Sequence, residues 1–150
     1  MLLILTLLIT SSVFIGLDIN VAAASETIVY IDPSYLTVRP CNDFTVNVNV
    51  KDVVDLWVWQ FKITFNPSLM KCISAAEGPF LASSGPTVWP APIIDNVTGY
   101  VMAACARIGP TPGSSGSGAL AYVTFHCEGG GRSSLHFDDP ETFLLDSDLT

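Results

Sequence analysis

The sequence predicts an all-β fold, an antiparallel sandwich of eight or nine short strands. Three observations carry that prediction. Apolar and mixed residues alternate with a period of two over 44–50, 56–65 and 120–127, the period at which side chains leave opposite faces of a strand. Clusters of Gly, Pro, Asn, Asp and Ser punctuate the chain every ~8–12 residues, a spacing typical of sandwiches. No stretch makes a convincing amphipathic helix.

The clearest strand is 56–65. Trp57, Trp59, Phe61, Ile63 and Phe65 form one wholly apolar face, while Val58, Gln60, Lys62 and Thr64 form the other. A helix would group Trp57, Phe61 and Phe65 but strand Trp59 and Ile63 on another side, so the aromatic and β-branched content favours the strand. Asn66-Pro67-Ser68 ends it, because Pro67 has no N–H for a ladder.

The other elements follow in order. Residues 27–31 and 35–38 are short β-rich runs around Asp32-Pro33-Ser34, a turn or a kink in one edge strand. In 44–50, Phe44, Val46, Val48 and Val50 face inward. Residues 51–55 read as a polar turn into the central strand. A short strand at 69–76 ends at Glu77-Gly78-Pro79, and the Pro-rich 80–92 is irregular. Ile93-Ile94 is a short edge, 95–99 a hairpin turn, and 100–107 a strand of small residues. The Gly, Pro and Ser content of 109–118 predicts a loop. In 120–127, Ala121, Val123, Phe125 and Cys127 lie on one face, with Leu120, Tyr122, Thr124 and His126 on the other. Residues 134–137 and 143–145 make the last strand or pair.

Composition bounds the function. A chain of 150 residues with 49% hydrophobic and 13% charged residues folds as one domain and is not disordered. A net charge of −8 repels phosphate backbones and excludes nucleic acid as a partner. Residues 1–24 read as a secretory signal peptide, an apolar run followed by Ala22-Ala23-Ala24. The mature domain is then 25–150, extracellular or at the cell surface. Membrane attachment follows only if that segment stays uncleaved.

Export favours disulfides among Cys41, Cys72, Cys105 and Cys127, whose spacing contains no zinc-type pair. Four cysteines allow three connectivities, and spacing does not choose among them. Asn96-Val97-Thr98 is an N-glycosylation sequon.

No catalytic constellation stands out. His126 and His136 lack metal spacing, and no serine sits in a nucleophile elbow. The carboxylates of 138–141 and 146–148 crowd single turns and do not face each other across a cleft, as a glycosidase pair must. They read as solvated turns, with calcium as the sharper alternative. Trp57 and Trp59 alternate with core residues, so Trp89 is the better candidate for stacking on a sugar ring. Neither cofactor nor metal is expected.

Four stretches, in order, resemble a cohesin domain: 44–50; Leu56 with Gln60-Phe61-Lys62-Ile63-Thr64-Phe65-Asn66-Pro67-Ser68-Leu69; Gly78-Pro79-Phe80-Leu81; and Gly116-Ser117-Gly118-Ala119-Leu120-Ala121-Tyr122-Val123-Thr124-Phe125. The ending Leu144-Leu145-Asp146 is also similar. The resemblance implies a nine-stranded jelly roll related to some carbohydrate-binding modules. It also implies a non-catalytic module whose partner is a dockerin, a small calcium-loaded helical protein that attaches polysaccharide-degrading enzymes to a scaffold. In that family the partner packs on a face including the third and eighth strands. Carried over as 56–65 and 120–127, these give Val58, Gln60 and Lys62 with Leu120, Tyr122 and Thr124 as the expected binding face. Familiar cellulosomal members have Asn and Asp where this chain has Val58 and Gln60. The strand neighbours implied by the resemblance put Cys72 beside Cys105 and leave Cys41 for Cys127. The alternative function is direct binding of a polysaccharide through Trp89, and a structural surface domain is a third.

Overall fold

A computed structural model describes residues 26–110 and 112–150; the expected signal segment lies outside the described residues. Nine strands are joined by antiparallel ladders: β1 (Ile28–Asp32), β2 (Asp43–Thr64), β3 (Met70–Glu77), β4 (Thr87–Val88), β5 (Ile93–Asp95), β6 (Tyr100–Arg107), β7 (Ser114–Cys127), β8 (His136–Phe137) and β9 (Phe143–Asp146). One turn of helix, α1 (Pro79–Ala82), interrupts them.

The organising element is β2, a continuous strand of 22 residues. The expected polar turn at 51–55 is instead a corner within it. Asp52 and Asp55 take left-handed backbone, with φ of 55° and 58°. The register against β7 shifts there twice, between Val50 and Val53 and again before Leu56. Such irregularities bend a strand from one layer of a sandwich into the other. The first half of β2 lies between β1 and β7, with β3 beyond β7. The second half lies between β6 and the β8–β9 segment, with β4 and β5 beyond β6.

The Gly- and Ser-rich 114–118, expected to be a loop, is the start of β7. It serves the corner: Ser117 Oγ and Ser115 Oγ accept the Asp52 and Asp55 N–H groups, each at 2.9 Å. Gly118 has no side chain because Phe80 packs there; a Cβ would stand 2.8 Å from the ring. Residues 35–38, expected as β-rich, form no ladder.

The core fills the space between the layers. Trp59, Phe61, Ile63 and Phe65 from β2 and its end meet Val101, Ala103 and Cys105 of β6 and Val123 and Phe125 of β7, all buried. The Phe65 and Phe125 rings meet edge to face at 5.3 Å across the layers, and Phe44 stacks on Phe125 at 5.5 Å. Trp57 keeps the inward parity but lies half-buried at the end of the core, its ring 5.9 Å from the buried Arg107 guanidinium.

Candidate functional site

The six residues expected to form one binding face do not share one. Val58, Gln60 and Lys62 are outward on the second half of β2, opposite Ala106, Ala104 and Met102 of β6. Tyr122 and Thr124 lie in the other layer, opposite Asn47 and Thr45 on one side and Ala76 and Ser74 on the other. The Thr45 and Thr124 hydroxyls are 2.9 Å apart. The strand beside 56–64, away from β6, is β8–β9 and not 120–127. Leu120 fails as an outward residue as well, at 2% exposure. Register passes from Val48↔Ala121 to Asn49↔Ala119, so Leu120 is the extra residue of a bulge. A bulge breaks the two-residue alternation, and Leu120 turns into the core beside Ala121.

The outward face around Val58 can be read from the register, since opposed residues point to the same side. Val88, Ala106, Val58 and Leu145 make one row across it. Ala104, Gln60 and Phe143 make the next. Ile93, Met102 and Lys62 make a third, and Asp95, Tyr100, Thr64 and His136 a fourth. Val88, Ile93 and Phe143 stand exposed at its edges, at 48%, 49% and 38%. The small residues Ala104 and Ala106 keep its middle flat.

The two long polar side chains of this face are committed within the chain. Gln60 Nε2 donates to the Glu141 carbonyl at 3.0 Å. Lys62 Nζ pairs with Asp138 Oδ2 at 2.9 Å and lies 5.1 Å from the centre of the Tyr100 ring. The hydrogen bond to Asp138 raises the Lys62 pKa above its ordinary value against a partial desolvation that lowers it. Both side chains pin the 138–142 segment, so what the middle rows offer a partner is mainly apolar.

The chain resembles solved structures at the level of fold. No protein-family model and no curated protein sequence matches it. A type II cohesin domain from the cellulosome of Acetivibrio cellulolyticus superposes with a TM-score of 0.67 at 17% identity, covering 85% of this chain and 87% of that one. The cohesin of a type I cohesin–dockerin complex from Clostridium thermocellum gives 0.66 at 15%, over 84% and 90%. The fold is the cohesin fold. A type II cohesin–X-dockerin complex from A. cellulolyticus gives 0.67 at 12%, over 81% of this chain and 87% of that one.

Within this cohesin fold the other expected site residues have structural occupations. Trp89 is half-buried and packs on the core, its ring 5.6 Å from that of Trp59, so it is no exposed platform for a sugar. The Asn96 amide clamps β3: its Oδ1 accepts the Cys72 N–H at 2.8 Å and its Nδ2 donates to the Cys72 carbonyl at 3.0 Å. His126 Nδ1 lies 2.6 Å from Asp43 Oδ1. Asp138 is spent on Lys62, and Asp146 accepts the Asp148 and Thr150 N–H groups at 3.0 Å each. Among the described residues no group of three or more His, Cys, Asp or Glu side chains is arranged to hold a metal ion.

All four cysteines are thiols in this structure. The expected Cys72–Cys105 neighbourhood is not present. The ladder partner of β3 is β7, not β6. Cys105 Sγ donates to Glu77 Oε1 at 3.4 Å, whereas Cys72 meets Asn96 in the turn before β6. Glu77 is five residues beyond Cys72 on β3, roughly 16 Å along a strand. The two cysteines therefore meet opposite ends of β3, and no ladder makes them neighbours. Burial pushes the Cys72 thiol up to about 11. Burial, then Glu77, pushes Cys105 up to about 12, so both are unreactive at neutral pH.

Arg107 carries no sequence motif, yet it closes one end of the core. It is 5% exposed and donates to Ser114 Oγ at 3.1 Å and to the Ser84 carbonyl at 2.6 Å. The one available signal was its parity, two residues beyond Cys105 on the inward side of β6.

Proposed function

We propose that this chain is an exported, non-catalytic binding module that holds a dockerin-type protein in a polysaccharide-degrading or cell-surface assembly. The seat is the outward face of β6 and the second half of β2, flanked by β4, β5 and β9. One observation carries the reading: a flat, apolar face with Val88, Ile93 and Phe143 exposed around Val58, Met102, Ala104 and Ala106. Exposed contiguous apolar faces mark interaction sites. The partner class comes from the solved relatives, which include cohesins in complex with dockerins at 12% and 15% identity. Val58, Gln60 and Lys62 belong to this seat; Leu120, Tyr122 and Thr124 do not.

Calorimetric titration with a panel of purified dockerin modules tests the proposal. Ala104→Arg, which puts a bulky cation in the middle of the face, should weaken the binding of a recognised dockerin more than a hundredfold. Tyr122→Ala, on the other layer, should leave it unchanged. Loss of binding on Tyr122→Ala with Ala104→Arg silent would move the seat to the other sheet. No binding to any dockerin would remove the partner class.

A further inference from the structure

Cys41 and Cys127 face each other across a local irregularity of the ladder. The Cys41 N–H donates to the Cys127 carbonyl at 2.7 Å, and the Cys127 N–H donates to the Asn42 carbonyl at 2.9 Å. Residues 41 and 42 thus oppose the single residue 127. This is the pattern of a bulge whose first position takes left-handed backbone and is ordinarily glycine. Cys41 takes that conformation, at φ 63°. A side chain there is disfavoured where glycine would be free, so Cys41 holds this position at a conformational cost. Across the bulge stands Cys127, whose thiol donates to the Gly129 carbonyl at 3.5 Å.

We propose that Cys41 and Cys127 are a cystine-forming pair that stitches the loop before β2 to the end of β7, while Cys72 and Cys105 remain thiols. A single backbone hydrogen bond of 2.7 Å joins the two residues directly, so their Cα atoms are close neighbours, on the scale of the roughly 4.4–6.8 Å that a disulfide spans. Access agrees: Cys41 is exposed and Cys127 half-buried, whereas the other two are buried. Cys127 also lines a cavity of about 550 Å³ between the 33–38 segment and the 129–135 loop, so the bond forms at a solvent-reached edge of the fold.

The oxidant is a small disulfide such as oxidised glutathione. The Cys41 thiolate attacks one of its sulfurs, forming a mixed disulfide and releasing one glutathione thiolate. The Cys127 thiolate then attacks the Cys41 sulfur and expels the second. Two electrons pass from the pair to the reagent, and the two protein protons end on two glutathione thiols.

The test uses the folded protein in a glutathione buffer, with free thiols alkylated before trypsin cleavage. Cys127 falls in the peptide 108–132, Cys41 in a peptide ending at Lys51, and Cys72 and Cys105 share the peptide 72–107. The expected result is one cross-link joining the first two peptides, a loss of 2 Da on the intact monomer, and a doubly alkylated 72–107 peptide. Oxidation should raise Tm on the order of 10 °C, and Cys41→Ser should abolish both that rise and the cross-link, leaving a glutathione adduct on Cys127. A bond within 72–107, a bond between Cys127 and Cys72, a covalent dimer, or four alkylated cysteines in the oxidised wild type would each overturn the proposal.

Discussion

Lys62 and Asp138 are tied to each other twice. The side chains pair at 2.9 Å, and the Asp138 N–H donates to the Lys62 carbonyl at 2.8 Å. The ion pair therefore closes a ring with the backbone and holds the 138–142 segment against the edge of β2, where Thr142 Oγ1 also accepts the Lys62 N–H at 3.2 Å.

Lys62→Met should loosen that segment without unfolding the sandwich. Amide exchange at Asp138 and across Phe143–Asp146 should speed up severalfold, while β6 and β7 stay protected. The wild-type pair also sets an alkaline limit. Because the Lys62 pKa is raised on folding, its contribution is complete below the unfolded value of about 10.4 and is lost as pH rises through the folded value. Tm measured upward from pH 10 should fall more steeply for wild type than for Lys62→Met.

The acid limit has other owners. Hydrogen bonds hold three carboxyls below the ordinary carboxylate value: Asp55 through the Ser147 hydroxyl and the Gly113 N–H, Asp95 through the Thr98 N–H and hydroxyl, and Asp146 through the same two groups of Thr150. For groups depressed on folding, the stabilisation is present above the unfolded pKa of about 3.9 and lost as pH falls through the folded one. Thermal melts should show Tm declining below about pH 4, and Asp55→Asn should make that decline shallower while lowering Tm at pH 7.

Phe125 is the point at which the layers meet, packed between Phe44 and Phe65. Phe125→Ala should cost about 3–5 kcal/mol in urea unfolding. Phe125→Leu, which keeps most of the volume, should cost less than half as much.

Binding on the apolar face should be nearly independent of salt. Its one lysine is already paired with Asp138, so few free charges remain for a partner to screen. Under the proposed function, raising sodium chloride from 50 mM to 500 mM should change Kd for a recognised dockerin less than about threefold. A tenfold loss would mean that charges outside this face carry the contact.

The sequence made some of this legible and hid the rest for physical reasons. The inward set Trp59, Phe61, Ile63 and Phe65 was readable because burial on one face imposes a local, two-residue signature. Val58, Gln60 and Lys62 followed from the same parity. Leu120 was misread because a bulge depends on the facing strand, and nothing local announces the lost step. Residues 114–118 were misread because glycine and serine say loop, while here two serine hydroxyls complete the corner at Asp52 and Asp55. Which strands lie side by side is a non-local property, and that is where the expected binding face and the expected Cys72–Cys105 neighbourhood failed.

Because β2 runs unbroken from one layer into the other, neither layer owns a complete set of strands without it. A fragment cut at the corner would leave two open sheets, each with an unpaired edge and an uncovered apolar side. Assembly of such a domain must wait for pairings between distant parts of the chain, which makes folding slow and all-or-none. Truncated forms ending near residue 55 or beginning there should be insoluble alone, and the domain should gain or lose its structure only as a whole.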